Sequence, residues 1–180
     1  MKKCLCDDVV IKHGDINAKI KCNEVMFLDA VKKIADDIRK NYNFKNKRIG
    51  LIGIARGALP LLVALSHELE IRYISVVQIV MTKSDNTFDY GEAKIHNGYI
   101  DDDFDEYIIL EDVISHGRSV NLLVNELIKK NKKVAAIYTL FMNRDMKNLK
   151  LDNEYMDIKY VYLTKPKQWT YFFWEKGYRT

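Results

Sequence analysis

Two adjacent carboxylates, Glu111 and Asp112, stand just ahead of a compact polar turn, Ser115-His116-Gly117-Arg118-Ser119. Residue types in this order suit one kind of chemistry. A helix N-terminus presents unpaired backbone N–H groups and the positive end of a dipole, so it binds anions. Gly117 lets the backbone approach a phosphate closely. Ser115 and Ser119 add hydroxyl donors, and Arg118 adds positive charge. The two acids cannot help to hold a phosphate, because like charges repel. They can accept hydrogen bonds from sugar hydroxyls, or hold a divalent cation with water between. A phosphate cradle beside a diol-accepting pair describes a sugar-phosphate site. For an isolated turn, a helix capped by Ser115 or Ser119 with a solvated acidic pair is the plainer account.

Such a turn needs a strand before it and a helix after it. Tyr107, Ile108, Ile109 and Leu110 form an apolar run that suits a buried parallel strand, ending at the acids. Val120, Leu122, Leu123, Val124, Leu127 and Ile128 recur at helical spacing behind the turn. The same pattern occurs earlier. Residues 48–54 read as a strand, Ala55-Arg56-Gly57-Ala58-Leu59-Pro60 as a turn, and 61–69 as an apolar helix. Pro60 is tolerated in a first helical turn. Turns at the carboxyl ends of parallel strands are where open α/β sheets bind ligands.

The remaining chain supplies more of these units. Val25, Phe27, Leu28, Val31, Ile34, Ala35 and Ile38 make a helical stripe that Asn23 would cap. Residues 72–81, 132–140 and 157–163 read as further strands, with a short one around 9–12. The polar segment 82–106 is long for a connection and therefore functional or disordered. Residues 164–175 carry an unusual density of aromatic side chains. They read as a strap packed on the core, or as a stacking platform for a flat ring.

Composition narrows the classes. The 180 residues fit one domain, 1–180, with a substantial core. The formal charge is 29 minus 25, or +4, mostly dispersed lysine. That suits a polyanionic small substrate and argues for neither nucleic-acid nor membrane partners. Cys4, Cys6 and Cys22 have no framework or zinc spacing, which points to reduced thiols and a cytoplasmic location. The first residues lack a signal-peptide pattern, and no run reaches membrane-spanning length.

The segment YIILEDVISHGRSV resembles the phosphoribosyl-pyrophosphate (PRPP) motif of type I phosphoribosyltransferases. The resemblance implies that Glu111 and Asp112 bind the ribose and Ser115, His116, Gly117, Arg118 and Ser119 the 5′-phosphate. It implies Mg²⁺ held mostly by substrate or water, with Glu111 and Asp112 as its protein acids. Ala55, Arg56 and Gly57 resemble the pyrophosphate loop of the purine enzymes, where a non-proline cis peptide is expected at Ala55–Arg56. The tail resembles their C-terminal hood. Trp169 would stack on the base, and groups near Thr170 and Glu175 would read its edge. Asp112, His116 and Lys94 are the implied catalytic residues. Segment 82–106 would be the catalytic loop, in which Lys94 or His96 neutralises departing pyrophosphate. The implied fold is α/β, a twisted, mainly parallel sheet with helices on both faces and a small hood at residues 164–180. The implied reaction moves phosphoribosyl from PRPP to a nucleobase, a 6-oxopurine first among them, in a homodimer or higher homo-oligomer.

Three departures qualify the match. Ser115 stands where many 6-oxopurine enzymes have Asp. The lysine that often follows on the next strand falls at Leu140, unless the alignment shifts. The loop and Lys94-x-His96 also echo orotate enzymes. An orotate-type enzyme, a non-catalytic PRPP-binding regulator and a generic α/β nucleotide-binding module are therefore the competing readings.

Overall fold

The computed structural model describes residues 2–5, 20–44, 48–82, 90–143, 157–165 and 168–176. In chain order the elements are β1 Lys2–Cys4, β2 Ile20–Cys22, α1 Glu24–Asn41, β3 Ile49–Ala55, α2 Leu59–Glu68 and β4 Ile74–Thr82. They continue with β5 Tyr90–Tyr99, β6 Glu106–Ile114, α3 Arg118–Lys129, β7 Lys133–Asn143, β8 Ile158–Thr164 and β9 Thr170–Phe172. The short strand expected around 9–12 lies outside the described residues, as does part of the 82–106 segment.

Seven strands form one sheet in the order β1-β8-β7-β6-β3-β4-β5. All neighbours are parallel except β4 and β5, which pair as an antiparallel hairpin. Strands β3 and β6 sit side by side, with Gly53 opposite Leu110, so the two suspected ligand turns leave the sheet from neighbouring strands. Alternating side chains divide the core. Leu51, Ile108 and Leu110 pack with α1 and α2 on one face. Ile52, Ile54, Tyr107 and Ile109 pack with Val120, Leu123, Val124 and Leu127 of α3 on the other. The expected α/β sheet with helices on both faces is therefore present. The hood is a separate parallel pair, β2 with β9, so residues near the N-terminus complete it.

Two local expectations need correction. The acidic pair does not follow the end of its strand. Pairing with β7 continues through Val113 opposite Phe141 and Ile114 opposite Met142, which keeps Glu111 and Asp112 inside β6. Helix α1 begins at the expected cap, with the Asn23 side chain accepting from the Met26 N–H at 2.8 Å. Its stripe, however, excludes Val25 and Leu28, which are 75% and 55% exposed. At 3.6 residues per turn, Val25 lies half a turn from Ile34 and Leu28 about a third. The tight face of Phe27, Ala30, Val31, Ile34, Ala35 and Ile38 sets the rotation. Among the described residues, no helix is long and apolar enough to cross a membrane.

A polar network pins α1 to the sheet away from the acidic pair. Asp37 Oδ2 accepts from the Tyr138 hydroxyl at 2.6 Å and from Lys159 Nζ at 2.8 Å. Lys159 is 5% exposed, and Asp157 stands 3.4 Å away as a second, more exposed partner. Removing one partner of a buried ion pair strands the other charge without water. Asp37→Ala is expected to destabilise the fold by about 3 kcal/mol in urea unfolding.

Candidate active site

The acidic pair is the centre of the site. Glu111 is buried in the middle of the sheet, and Asp112 beside it is half-buried. The Asp112 N–H donates to Glu111 Oε1 at 3.1 Å, and the Val113 N–H to Asp112 Oδ1 at 2.7 Å. The Thr139 hydroxyl reaches the main-chain oxygens of Asp112 and Phe141, each at 3.1 Å, and braces the strand from β7. Thr139 escaped the sequence reading because only the strand register places it there. Burial raises the Glu111 carboxyl well above its ordinary range, with the Asp112 charge adding to it. Burial raises Asp112 as well, opposed by its hydrogen bonds.

Gly57 brings the two ligand turns together. A Cβ built there would lie 2.1 Å from Asp112 Oδ2 and 2.4 Å from its Cγ. Only glycine allows the turn after β3 to rest on this carboxylate. The Ala55–Arg56 peptide is cis, as the resemblance implied. Arg56 is exposed, and α2 begins beyond it without a side-chain cap.

The turn after β6 pivots on Gly117. Gly117 adopts the left-handed conformation at φ 72°, where a side chain would be strained, and leads into α3 without a side-chain cap. Neither Ser115 nor Ser119 caps the helix. Ser119 donates to Glu111 Oε2 at 3.2 Å, tying the loop to the acidic pair. Ser115 Oγ lies 3.2 Å from His116 Nδ1. Arg118 is exposed on the first turn.

The hood reaches the same place. Glu175 accepts from the Phe172 N–H at 3.0 Å. Its carboxyl is raised by burial, opposed by that N–H, raised further by Asp112 and lowered by Arg56. Glu175 thus feels the charges of Asp112 and Arg56. Trp169 is half-buried and meets Tyr171 edge-on at 6.5 Å. Trp174 serves differently: it stacks on Phe172 at 4.6 Å and meets Phe27 of α1 at 5.2 Å, fastening the hood.

Other expected positions are not gathered here. Lys94 is exposed on β5, opposite Val80, with Glu92 at 3.6 Å. Strand β5 is three strands from β6, roughly 14 Å at the usual spacing. His96 is exposed on the same strand. Leu140 is fully buried in the α1 and α2 core, so it does not occupy a ligand-facing position.

The raised carboxyls have a consequence for stability. A carboxyl whose pKa is raised by folding contributes stability below the ordinary carboxylate range, and that contribution is lost as pH rises through the raised pKa. The ligand-free protein should therefore melt at higher temperature near pH 5 than near pH 8. Glu111→Gln, which keeps an acceptor for Ser119, should raise the pH 8 melting temperature by a few degrees, corresponding to about 1 kcal/mol. It should also flatten the pH dependence in thermal melts.

Comparison with known proteins shows likeness over most of the chain. The chain is 25% identical over 140 residues to a hypoxanthine-guanine phosphoribosyltransferase of Streptococcus pyogenes serotype M3, covering 77% of this chain and 76% of that one. Its fold matches a purine phosphoribosyltransferase from Pyrococcus horikoshii Ot3 at TM-score 0.64 and 23% identity, covering 88% and 94% of the two chains. A Helicobacter pylori xanthine-guanine-hypoxanthine phosphoribosyltransferase matches at TM-score 0.67 and 17% identity, covering 90% and 97%. The family model for the phosphoribosyl transferase domain matches residues 23–179, and the chain belongs to that family.

Proposed function

We propose that the protein transfers phosphoribosyl from PRPP to a ring nitrogen of a purine, with a 6-oxopurine as the leading base. The products are a nucleoside 5′-monophosphate and pyrophosphate. The observation that carries this reading is Gly57 against Asp112, with Ser119 beyond the second glycine bonded to Glu111. The named activities of the relatives, hypoxanthine-guanine and purine phosphoribosyltransfer, support the same reading.

In this reading the 115–119 turn binds the 5′-phosphate through the free N–H groups of α3. Glu111 and Asp112 accept from the ribose hydroxyls. The 55–57 turn holds the pyrophosphate, Trp169 stacks on the base, and Thr170 and Glu175 read its edge. The bond from ribose to pyrophosphate breaks, the bond to the base nitrogen forms, and the base loses a proton. His116 is the proposed proton acceptor. Its Nδ1 lies 3.2 Å from Ser115 Oγ. The developing positive charge on the ribose ring faces the Asp112 carboxylate, which stabilises it. Lys94 would reach pyrophosphate only after movement of β5.

The donor set fits Mg²⁺ of one kind. Among the described residues no cluster of three or more His, Cys, Asp or Glu could hold a metal. Magnesium commonly uses one or two carboxylates plus substrate phosphates and water. Glu111 and Asp112 match that pattern, and the ion would neutralise pyrophosphate charge when bound. The protein is further proposed to be a cytoplasmic homodimer or higher homo-oligomer, with neither nucleic acid nor membrane as partner.

A second reading keeps PRPP binding without turnover. It is favoured by Ser115, which puts no carboxylate at the start of the loop. Pyrophosphate release from PRPP and Mg²⁺ across xanthine, guanine, hypoxanthine, adenine, orotate and uracil separates the two. Turnover with a purine is expected. PRPP binding without turnover would establish the regulator, and turnover with orotate alone would overturn the purine assignment. Gly57→Ala should lower kcat/KM at least about 100-fold, because a displacement near 1 Å suffices for such a loss. Trp169→Ala should raise the KM for the base about 10-fold and leave that for PRPP unchanged.

A further inference from the structure

The strand that carries the acidic pair loses one neighbour where the pair begins. Pairing of β6 with β3 ends at Gly53 opposite Leu110. From Glu111 to Ile114, among the described residues, β6 pairs with β7 alone. That pairing has a gap. It passes from Glu111 opposite Thr139 to Val113 opposite Phe141, so Asp112 and Leu140 form no pair. The far side of β7 shows the same gap, with Thr139 opposite Tyr160 and then Phe141 opposite Tyr162. A strand held from one side, with a lapse in its ladder, needs a further bond to fix the residue at the lapse.

Side chains supply that bond. The Asp112 N–H donates to Glu111 Oε1, and the Val113 N–H donates to Asp112 Oδ1. Both bonds stay within β6. The Thr139 hydroxyl comes from the neighbouring strand. Its Oγ1 lies 3.1 Å from the Asp112 carbonyl oxygen and 3.1 Å from that of Phe141, and the residue is fully buried. Its one proton therefore ties two carbonyls together across the lapse. Elsewhere Asp112 meets the 55–57 turn, where a Cβ on Gly57 would lie 2.1 Å from its Oδ2. Asp112 is thus fixed between a hydroxyl at its peptide and a turn against its carboxylate.

Resting on the phosphoribosyl-transfer reading, we infer that Thr139 is a positioning residue: its hydroxyl sets the Asp112 peptide so that the carboxylate meets the ribose. Thr139 touches no substrate and acts through Asp112. Without the hydroxyl, two buried carbonyls face a methyl group, and they relieve that by moving apart. The shift carries the Asp112 carboxylate with it. Two variants separate this role from packing. Thr139→Val keeps the shape and loses the proton, whereas Thr139→Ser keeps the proton and loses a methyl group. A packing role ranks serine as the worse of the two, and a positioning role ranks valine so.

The test measures kcat/KM for PRPP, with Mg²⁺ and whichever of hypoxanthine, guanine or xanthine turns over, and PRPP affinity by calorimetry. Thr139→Val should lower kcat/KM for PRPP and PRPP affinity about 10-fold or more, since a displacement near 1 Å has a large effect. It should leave the KM for the base unchanged, and Thr139→Ser should retain most of the native value. Added to Asp112→Asn, Thr139→Val should change PRPP affinity by less than about 2-fold, because the hydroxyl then has no carboxylate to place. If the valine variant does not fold, Thr139→Cys, a weak donor of similar size, takes its place with the same expectations. An active enzyme unchanged by the valine variant, serine worse than valine, or an equal loss with and without Asp112 overturns the inference and leaves the transfer reading standing. If PRPP binds without turnover, the affinities alone decide in the same way. If the native protein neither turns over nor binds PRPP, the transfer reading fails and the inference falls with it.

Discussion

Two carboxylates held side by side inside a central strand set the terms for the rest of this structure. Placing Glu111 and Asp112 there costs free energy, because burial and mutual repulsion both oppose charge. Everything packed around them responds to that cost. Ser119 and main-chain N–H groups offer donors to them. Thr139 steadies the backbone from the next strand. Gly57 brings a second turn against Asp112, where any side chain would collide. The first turns of α2 and α3 carry no side-chain cap.

The hood carries the second constraint. It consists of two short strands that would not persist alone. Aromatic packing holds it: Phe172 meets Phe141 and stacks with Trp174, and Trp174 rests on Phe27 of α1. Trp169, five residues earlier, lies outside that cluster. Two tryptophans on one short segment thus have separate duties, one in anchoring the segment and the other at the proposed base. Glu175 links anchor to site, through the Phe172 N–H on one side and the fields of Asp112 and Arg56 on the other.

Much of this was legible in the residues. Apolar runs followed by small-residue turns marked β3 and β6 and the helices behind them, and the acid pair with its glycine turn marked the ligand edge. Local rules suffice there, because strand burial, turn chemistry and capping act over a few residues. Other features were misread or missed for equally physical reasons. The apolar side chains of α1 suggested a wider buried face than the sheet covers, which leaves Val25 and Leu28 in water. The acids looked like a strand terminus, since charged residues are rarely buried, yet pairing with β7 carries the strand past them.

By itself, the sequence determined the fold class, the order of the units and the position of the two glycine turns. These follow from periodicity and from residue types whose backbone preferences are local. Only the tertiary structure decided which turns meet, how deeply the acids are buried and which tail aromatics anchor the hood on α1 and β7. It alone placed the Thr139 hydroxyl against the Asp112 carbonyl. Contacts between residues distant in the chain depend on strand order and register, and these are settled by packing of the whole core rather than by any short stretch.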